Sequence, residues 1–430
     1  MLFFVPAFAV SLTGLAHAET ILLTLTDALK RAQQENVQVV VAKERVQQAL
    51  ARVGESSSVF LPQIAAGISQ MRQTRDLRTA GISVAGDPLV GPFNTYDARI
   101  SLTQNLFDLS VIERLKAARK AQDVSLAEYR KTQQDVLALA AILFINAQRA
   151  QQNQNVAKAF LKRDVKNFRI VKTRLRQGLG SSLDVQQARF ACRKSLSMWR
   201  SARTRALQTR LDLDSALLIP ENQDIVFVEE EILEYPSSAL KEVNRALLKH
   251  PDVEVERQKW QQAQTLHAVE KAGYFPKISG VADYGESGIK PRDANETYAF
   301  GVQASMPIFE GGLRGARLKE TESVVREQEA TWHDVERNVR ARAFTVIETV
   351  RQTRLQMKEK EDEVAVWEHE LNLDRRRFHN GEGSSIDYLN TWAQVLAAKD
   401  QREEAKATYQ LAHIQLAHAM GEMEKLLGQE

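Results

Sequence analysis

The chain is written twice, and no other feature narrows its possible folds as much. Phe60-Leu61-Pro62-Gln63-Ile64 returns as Tyr274-Phe275-Pro276-Lys277-Ile278, and at the same separation Arg31-Ala32 returns as Arg245-Ala246. Leu106-Phe107-Asp108 returns as Ile308-Phe309-Glu310. The turn Gly178-Leu179-Gly180-Ser181-Ser182-Leu183-Asp184 returns as Gly381-Glu382-Gly383-Ser384-Ser385-Ile386-Asp387. Landmarks that recur in one order mean a duplicated architecture. Each half reads as a helix, a Pro-led pair of strands, a very long helix, a glycine turn and a second long helix running back. The helices are expected at 26–57, 109–176 and 183–218, then at 238–272, 312–380 and 386–427. Strands are expected at about 60–72 and 94–107, and again at about 275–285 and 297–309, with hairpin tips at 178–184 and 381–387. The organisation is therefore a first repeat over 19–218, a linker over 219–237 with β-rich Ile225-Val226-Phe227-Val228, and a second repeat over 238–430. A helix of about 68 residues spans roughly 100 Å. No globular domain needs one.

Residues 1–18 differ from the rest. An uncharged apolar stretch is followed by Ala16-His17-Ala18, the small-residue pattern of a signal peptidase site. A signal peptide is expected there, with Glu19 opening the mature chain. No later segment offers the run of apolar residues that a membrane-spanning helix requires. A crossing of the bilayer would have to be made with strands.

The strands have the pattern for it. Along Tyr96-Asp97-Ala98-Arg99-Ile100-Ser101-Leu102-Thr103 apolar and polar residues alternate. Tyr298, Phe300, Val302, Ala304 and Met306 alternate in the same way with Thr297, Ala299, Gly301, Gln303 and Ser305. Runs of about ten such residues suit tilted strands with lipid on one face and water on the other. A soluble antiparallel sheet with one wet face has the same period. Four strands cannot close a barrel by themselves, and an open edge in lipid leaves backbone groups unpaired. Copies must pool their strands; three would make an even barrel of twelve.

The long helices show narrow seams of apolar and small residues at three- and four-residue steps, such as Val136, Leu139, Leu143, Ala147 and Ala150. Such seams suit coiled-coil packing in the wall of a tube. Other chemistry is not in evidence. The G-x-G turns lack a following Lys-Ser/Thr and do not follow a strand, so they are not phosphate loops. The histidines have no metal-ligand spacing, and Cys192 reads as a packing residue among small seam residues. With 58 basic against 55 acidic residues the net charge is only +3, which gives no concentrated basic face for nucleic acid. An enzyme is not expected, and neither is a cofactor or a metal.

In its order of elements the chain resembles the TolC family of outer-membrane efflux and secretion proteins. The marks are Phe60-Leu61-Pro62, Ser101-Leu102-Thr103-Gln104-Asn105-Leu106-Phe107, Met306-Pro307-Ile308-Phe309-Glu310-Gly311-Gly312 and the two glycine turns. The resemblance implies a mainly α fold with a membrane β-barrel. Four strands per chain would be pooled into a trimeric twelve-stranded barrel that continues into a periplasmic helical tunnel. It implies an exit duct of a Gram-negative outer membrane that passes small molecules or unfolded protein. The implied partners are a periplasmic adaptor and an inner-membrane pump or ABC transporter. It implies that the tips meet the adaptor, through Gly178, Gly180, Ser181, Ser182 and Asp184 and through Gly381, Gly383, Ser384 and Ser385. It also implies that Asp387 lines the narrow entrance as a carboxylate ring, with Asn390 as a neutral position one turn on. The family's tyrosine before the second turn and arginine within it are Phe378 and Gly383 here, so that latch is not expected. By their residues alone, Asp184 and Asp387 also suit helix capping. The rival readings are a periplasmic adaptor and a coiled-coil scaffold without a pore.

Overall fold

The computed structural model describes residues 20–83, 85–220, 223–228, 246, 249–380, 382 and 385–427. The expected signal peptide, the end of the linker, most of the opening stretch of the helix expected at 238–272 and three residues of the second tip (Gly381, Gly383 and Ser384) lie outside them. In chain order the elements are β1 (Thr20–Leu23), α1 (Leu25–Glu35), α2 (Val37–Ser58), β2 (Gln63–Asp76), β3 (Leu89–Phe107), α3 (Leu109–Arg176) and α4 (Ser182–Leu217). They continue as β4 (Asp224–Phe227), α5 (Pro251–Ala272), β5 (Lys277–Gly288), β6 (Asn295–Ser305), α6 (Leu313–His379) and α7 (Ser385–Ala419).

Several boundaries differ from the sequence reading, β3 for one beginning at Leu89 and not near 94, and four have a plain local reason. The first helix is broken at Asn36, which takes an extended conformation at ψ 131° and ends α1. Its side chain accepts from the Gln38 N–H and donates to the Ala216 carbonyl, so it starts α2 and ties the break to α4. The second repeat has its break at the equivalent place, where Pro251, which has no N–H to give, opens α5. The last strand ends at Ser305, short of 309, because Pro307 cannot donate to a ladder. The last helix ends at Ala419, where Gly421 at φ +69° closes it and a short 3-10 turn follows.

The chain forms two compact units, and each draws segments from both repeats. One contains residues 42–129 and 251–337, which hold the four-stranded sheet and the helices beside it. The sheet order is β2-β3-β5-β6, every neighbour antiparallel. Its centre is the junction of the repeats, β3 against β5, and its free edges are β2 and β6. The helical part of this unit carries a stacked pair, Trp260 and Trp332, with ring centroids 5.2 Å apart.

The other unit contains residues 1–41, 130–250 and 338–430. Its core gathers Leu29 of α1, Leu137, Phe144 and Ile145 of α3, Leu213 and Leu217 of α4, and Ile414 and Leu416 of α7, all fully buried. The strand β1 pairs in parallel with β4, and Phe227 of β4 meets Phe144 edge-on at 5.4 Å. The sequence reading had no strand at 20–23; four residues next to the expected cleavage site give no period to read.

Candidate functional site

Two places carry the geometry that function could use: the faces of the sheet and the tips of the hairpins. The register sorts the sheet into rows. Ile64, Leu102, Ala282 and Phe300 face one another across the four strands, and so do Ala66, Ile100, Tyr284 and Tyr298 on the same side. This apolar face is bare in the single chain, with Phe300 82% and Ile68 78% exposed. On a soluble protein that much contiguous apolar surface marks an interface or a membrane.

The opposite face is polar and has a built centre. Arg99 on β3 bonds Asp97 through two nitrogens, Nε at 2.8 Å and Nη2 at 2.5 Å, and reaches Asp283 on β5 through Nη1 at 2.7 Å. To reach β5 the guanidinium must cross the residue paired with Arg99, which is Gly285. A Cβ at Gly285 would overlap the Ala98 carbonyl and the Arg99 Cβ. The sequence reading placed Arg99 on the polar face and missed this clasp between the repeats. Register was the absent information.

The first tip is closed by two standard devices in succession. Gly178 sits at φ +75°, the Leu179 N–H donates to the Arg174 carbonyl at 2.9 Å, and the Gly178 N–H donates to the Leu175 carbonyl at 3.1 Å. This pair of bonds is a Schellman cap, and glycine takes the left-handed position because it has no Cβ to clash. Gly180 lies close against the α3 backbone, where a Cβ would sit 3.2 Å from the Leu175 nitrogen. Ser181 then opens α4: its hydroxyl accepts from the Leu183 N–H at 3.1 Å, while Asp184 accepts from the Ser181 N–H at 3.0 Å. Ser182 is the first residue of α4 and is exposed. Asp184 therefore has a capping task.

At the second tip the Glu382 N–H donates to the Arg377 carbonyl at 2.8 Å, the counterpart of the Leu179 bond in the first. Ser385 begins α7, and Asp387 and Asn390 lie exposed in its first two turns. Just above, the Thr391 hydroxyl donates to Asp374 at 2.6 Å and joins α7 to α6. Deeper in the same unit, Arg149 of α3 bonds Asp400 at 2.8 Å and Glu404 at 2.7 Å on α7. Burial works against the Arg149 cation, but the two carboxylates outweigh it and hold its pKa above the usual value. The Arg149 ties were not read from the sequence, because side chains about 250 positions apart share no local pattern.

Among the described residues no helix is long and apolar enough to cross a membrane, which says nothing of a barrel. A family model described as "Outer membrane efflux protein" matches residues 28–217 and 243–422. The chain is 23% identical over 422 residues to the outer membrane efflux protein BepC of Brucella suis, covering 93% of this chain and 86% of that one. It is 23% identical over 355 residues to the alkaline protease secretion protein AprF of Pseudomonas aeruginosa, covering 77% of this chain and 71% of the relative. In fold it is similar to the CmeC outer membrane channel of Campylobacter jejuni, with a TM-score of 0.80 at 18% identity, covering 93% of this chain and 85% of that one.

Proposed function

The chain belongs to the outer membrane efflux protein family, and on that premise we propose that three copies build a passive exit duct. The observation that carries the reading is the sheet: four strands, one apolar and one polar face, and two unpaired edges, β2 and β6. An unpaired edge in hydrocarbon costs several kcal/mol for each backbone group left without a partner. If β6 of one copy pairs with β2 of the next, every edge is removed, and three copies close a twelve-stranded barrel. The apolar rows then face lipid, and the Arg99 centre faces the water inside.

The duct takes its cargo from partners: a periplasmic adaptor and an inner-membrane pump or ABC transporter. The first tip suits an adaptor contact, because the rigid turn from Gly178 to Asp184 presents Leu179 and Leu183 to solvent. Gly381, Gly383, Ser384 and Ser385 are assigned to the same contact by the repeat. One relative is named for efflux and the other for protease secretion, and the cargo assigned here is accordingly small molecules or unfolded protein. Asp387 is assigned to the entrance, where three carboxylates favour cations, with Asn390 as a neutral position beside them.

The test is a planar-bilayer recording of the purified, detergent-extracted protein. Ohmic conductance without nucleotide is expected, together with a preference for cations that Asp387→Ala weakens. A protein that conducts nothing contradicts the duct; one whose selectivity survives Asp387→Ala removes that residue from the entrance.

A further inference from the structure

On the polar face of the sheet, charge is confined to one spot. Four rows of that face run across all four strands, from the row of Gln63 to the row of Ser69. Among the described residues of those rows only Asp97, Arg99 and Asp283 are charged; the others are small, hydroxyl or amide side chains and one valine. Lys277, at the foot of the same face, lies 3.5 Å from Asp108 and brings no net charge with it. Glu286 and Glu296 face each other in a row of the opposite, apolar side.

The three charged groups are fixed in place. Arg99 sits in its row between two glycines, Gly67 on β2 and Gly285 on β5. No side chain stands on either side of it, so the guanidinium crosses Gly285 to reach Asp283 while keeping two bonds to Asp97. Three charge-assisted hydrogen bonds hold the centre against the wall. Its members keep 28–36% of their side-chain surface exposed, so ions in the water can reach them. One guanidinium is set against two carboxylates, and each copy is left with one uncompensated negative charge at this level.

We propose that Arg99, Asp97 and Asp283 form a selectivity ring inside the barrel, and that Arg99 sets its strength. The inference rests on the reading of the chain as a duct whose polar face lines water, and it adds a filter separate from the entrance at Asp387. Three copies place three uncompensated negative charges on a wall that is otherwise neutral at this level. Twelve strands ~4.8 Å apart and tilted ~40° close a ring roughly 25 Å across, which leaves the axis ~12 Å from the wall. Counter-ions screen such charges within ~3 Å at 1 M salt, but only within ~30 Å at 0.01 M. The ring therefore sorts ions across the whole lumen in dilute salt and not in concentrated salt. Without Arg99 the uncompensated charge doubles. The arginine thus joins the two repeats and halves the charge that the lumen presents.

The test is a planar-bilayer measurement on the full chain, with Asp387→Ala as background so that the entrance carboxylates do not mask the barrel. Reversal potentials in a potassium chloride gradient give the cation-to-anion ratio at ~0.01 M and at ~1 M salt. Arg99→Gln is expected to raise that ratio about three-fold in dilute salt and to leave it unchanged in concentrated salt. Asp97→Asn with Asp283→Asn, which leaves only the arginine, should bring the ratio below that of the background. The triple variant that joins these two to Arg99→Gln carries no charge, and its ratio should fall between the background and the arginine-only protein. That order follows the sign of the charge; a sheet merely loosened would move every variant the same way. Conducting variants whose ratios all equal the background overturn the ring and leave the duct standing. Variants that all fail to form channels where the background does also overturn it, and give the centre only the task of joining the repeats. A background protein that conducts nothing overturns the duct and the ring together.

Discussion

Gly178 has nothing within 4 Å of the place a Cβ would occupy, so what glycine supplies there is only the freedom to sit at φ +75°. Gly178→Ala should therefore destabilise the turn by about 1 kcal/mol, read as roughly five-fold faster amide exchange at the first tip. Gly54→Ala, equally open but inside α2, should show no such loss. At the head of α3, Asp108 accepts from the Ser110 N–H at 2.9 Å and hydroxyl at 2.6 Å and lies 3.5 Å from the Lys277 ammonium. Burial pushes its carboxyl up; Ser110, Lys277 and the Val111 N–H outweigh that and leave it below its ordinary 3.8. A carboxylate whose pKa falls on folding adds stability above its unfolded pKa, and that stability disappears as pH falls through the folded one. Asp108→Asn should accordingly flatten the acid limb of a helix-unfolding titration below about pH 4. In the second repeat Glu310 is held down in the same way by its hydrogen bond to Arg314.

At the scale of elements, the two faces of β6 make opposite predictions for one kind of change. Phe300→Arg puts a cation on the apolar rows and should cost the assembled protein about 2–4 kcal/mol if the site is near the bilayer midplane. Thr297→Arg, on the polar face, should cost far less. Recovery of folded protein in the membrane fraction separates them; equal recovery would take the apolar rows out of lipid. The long helices and the strand pairs were legible because their signals are periodic and each is written twice. The break at Asn36 was not, since one capping side chain does not disturb a helical pattern, whereas the boundary at Pro251 had its signal in the proline itself. The Arg99 clasp needed the register, which alternation fixes only within a strand and never between strands. The Arg149 ties needed two repeats brought together. At the candidate site, the sequence pointed to Asp184 as both a tip residue and a cap; its bond to the Ser181 N–H is the capping task.

For the whole molecule the governing fact is incompleteness. The sheet has two free edges and a bare apolar face. A chain with those features is stable in its membrane only as part of a closed ring, which is the central claim of the account. The measurement that tests it most directly is the native mass of the protein extracted in detergent from the outer-membrane fraction. Three chains per particle is the predicted result. A particle of one or two chains, or a protein that leaves the membrane fraction without detergent, would contradict it.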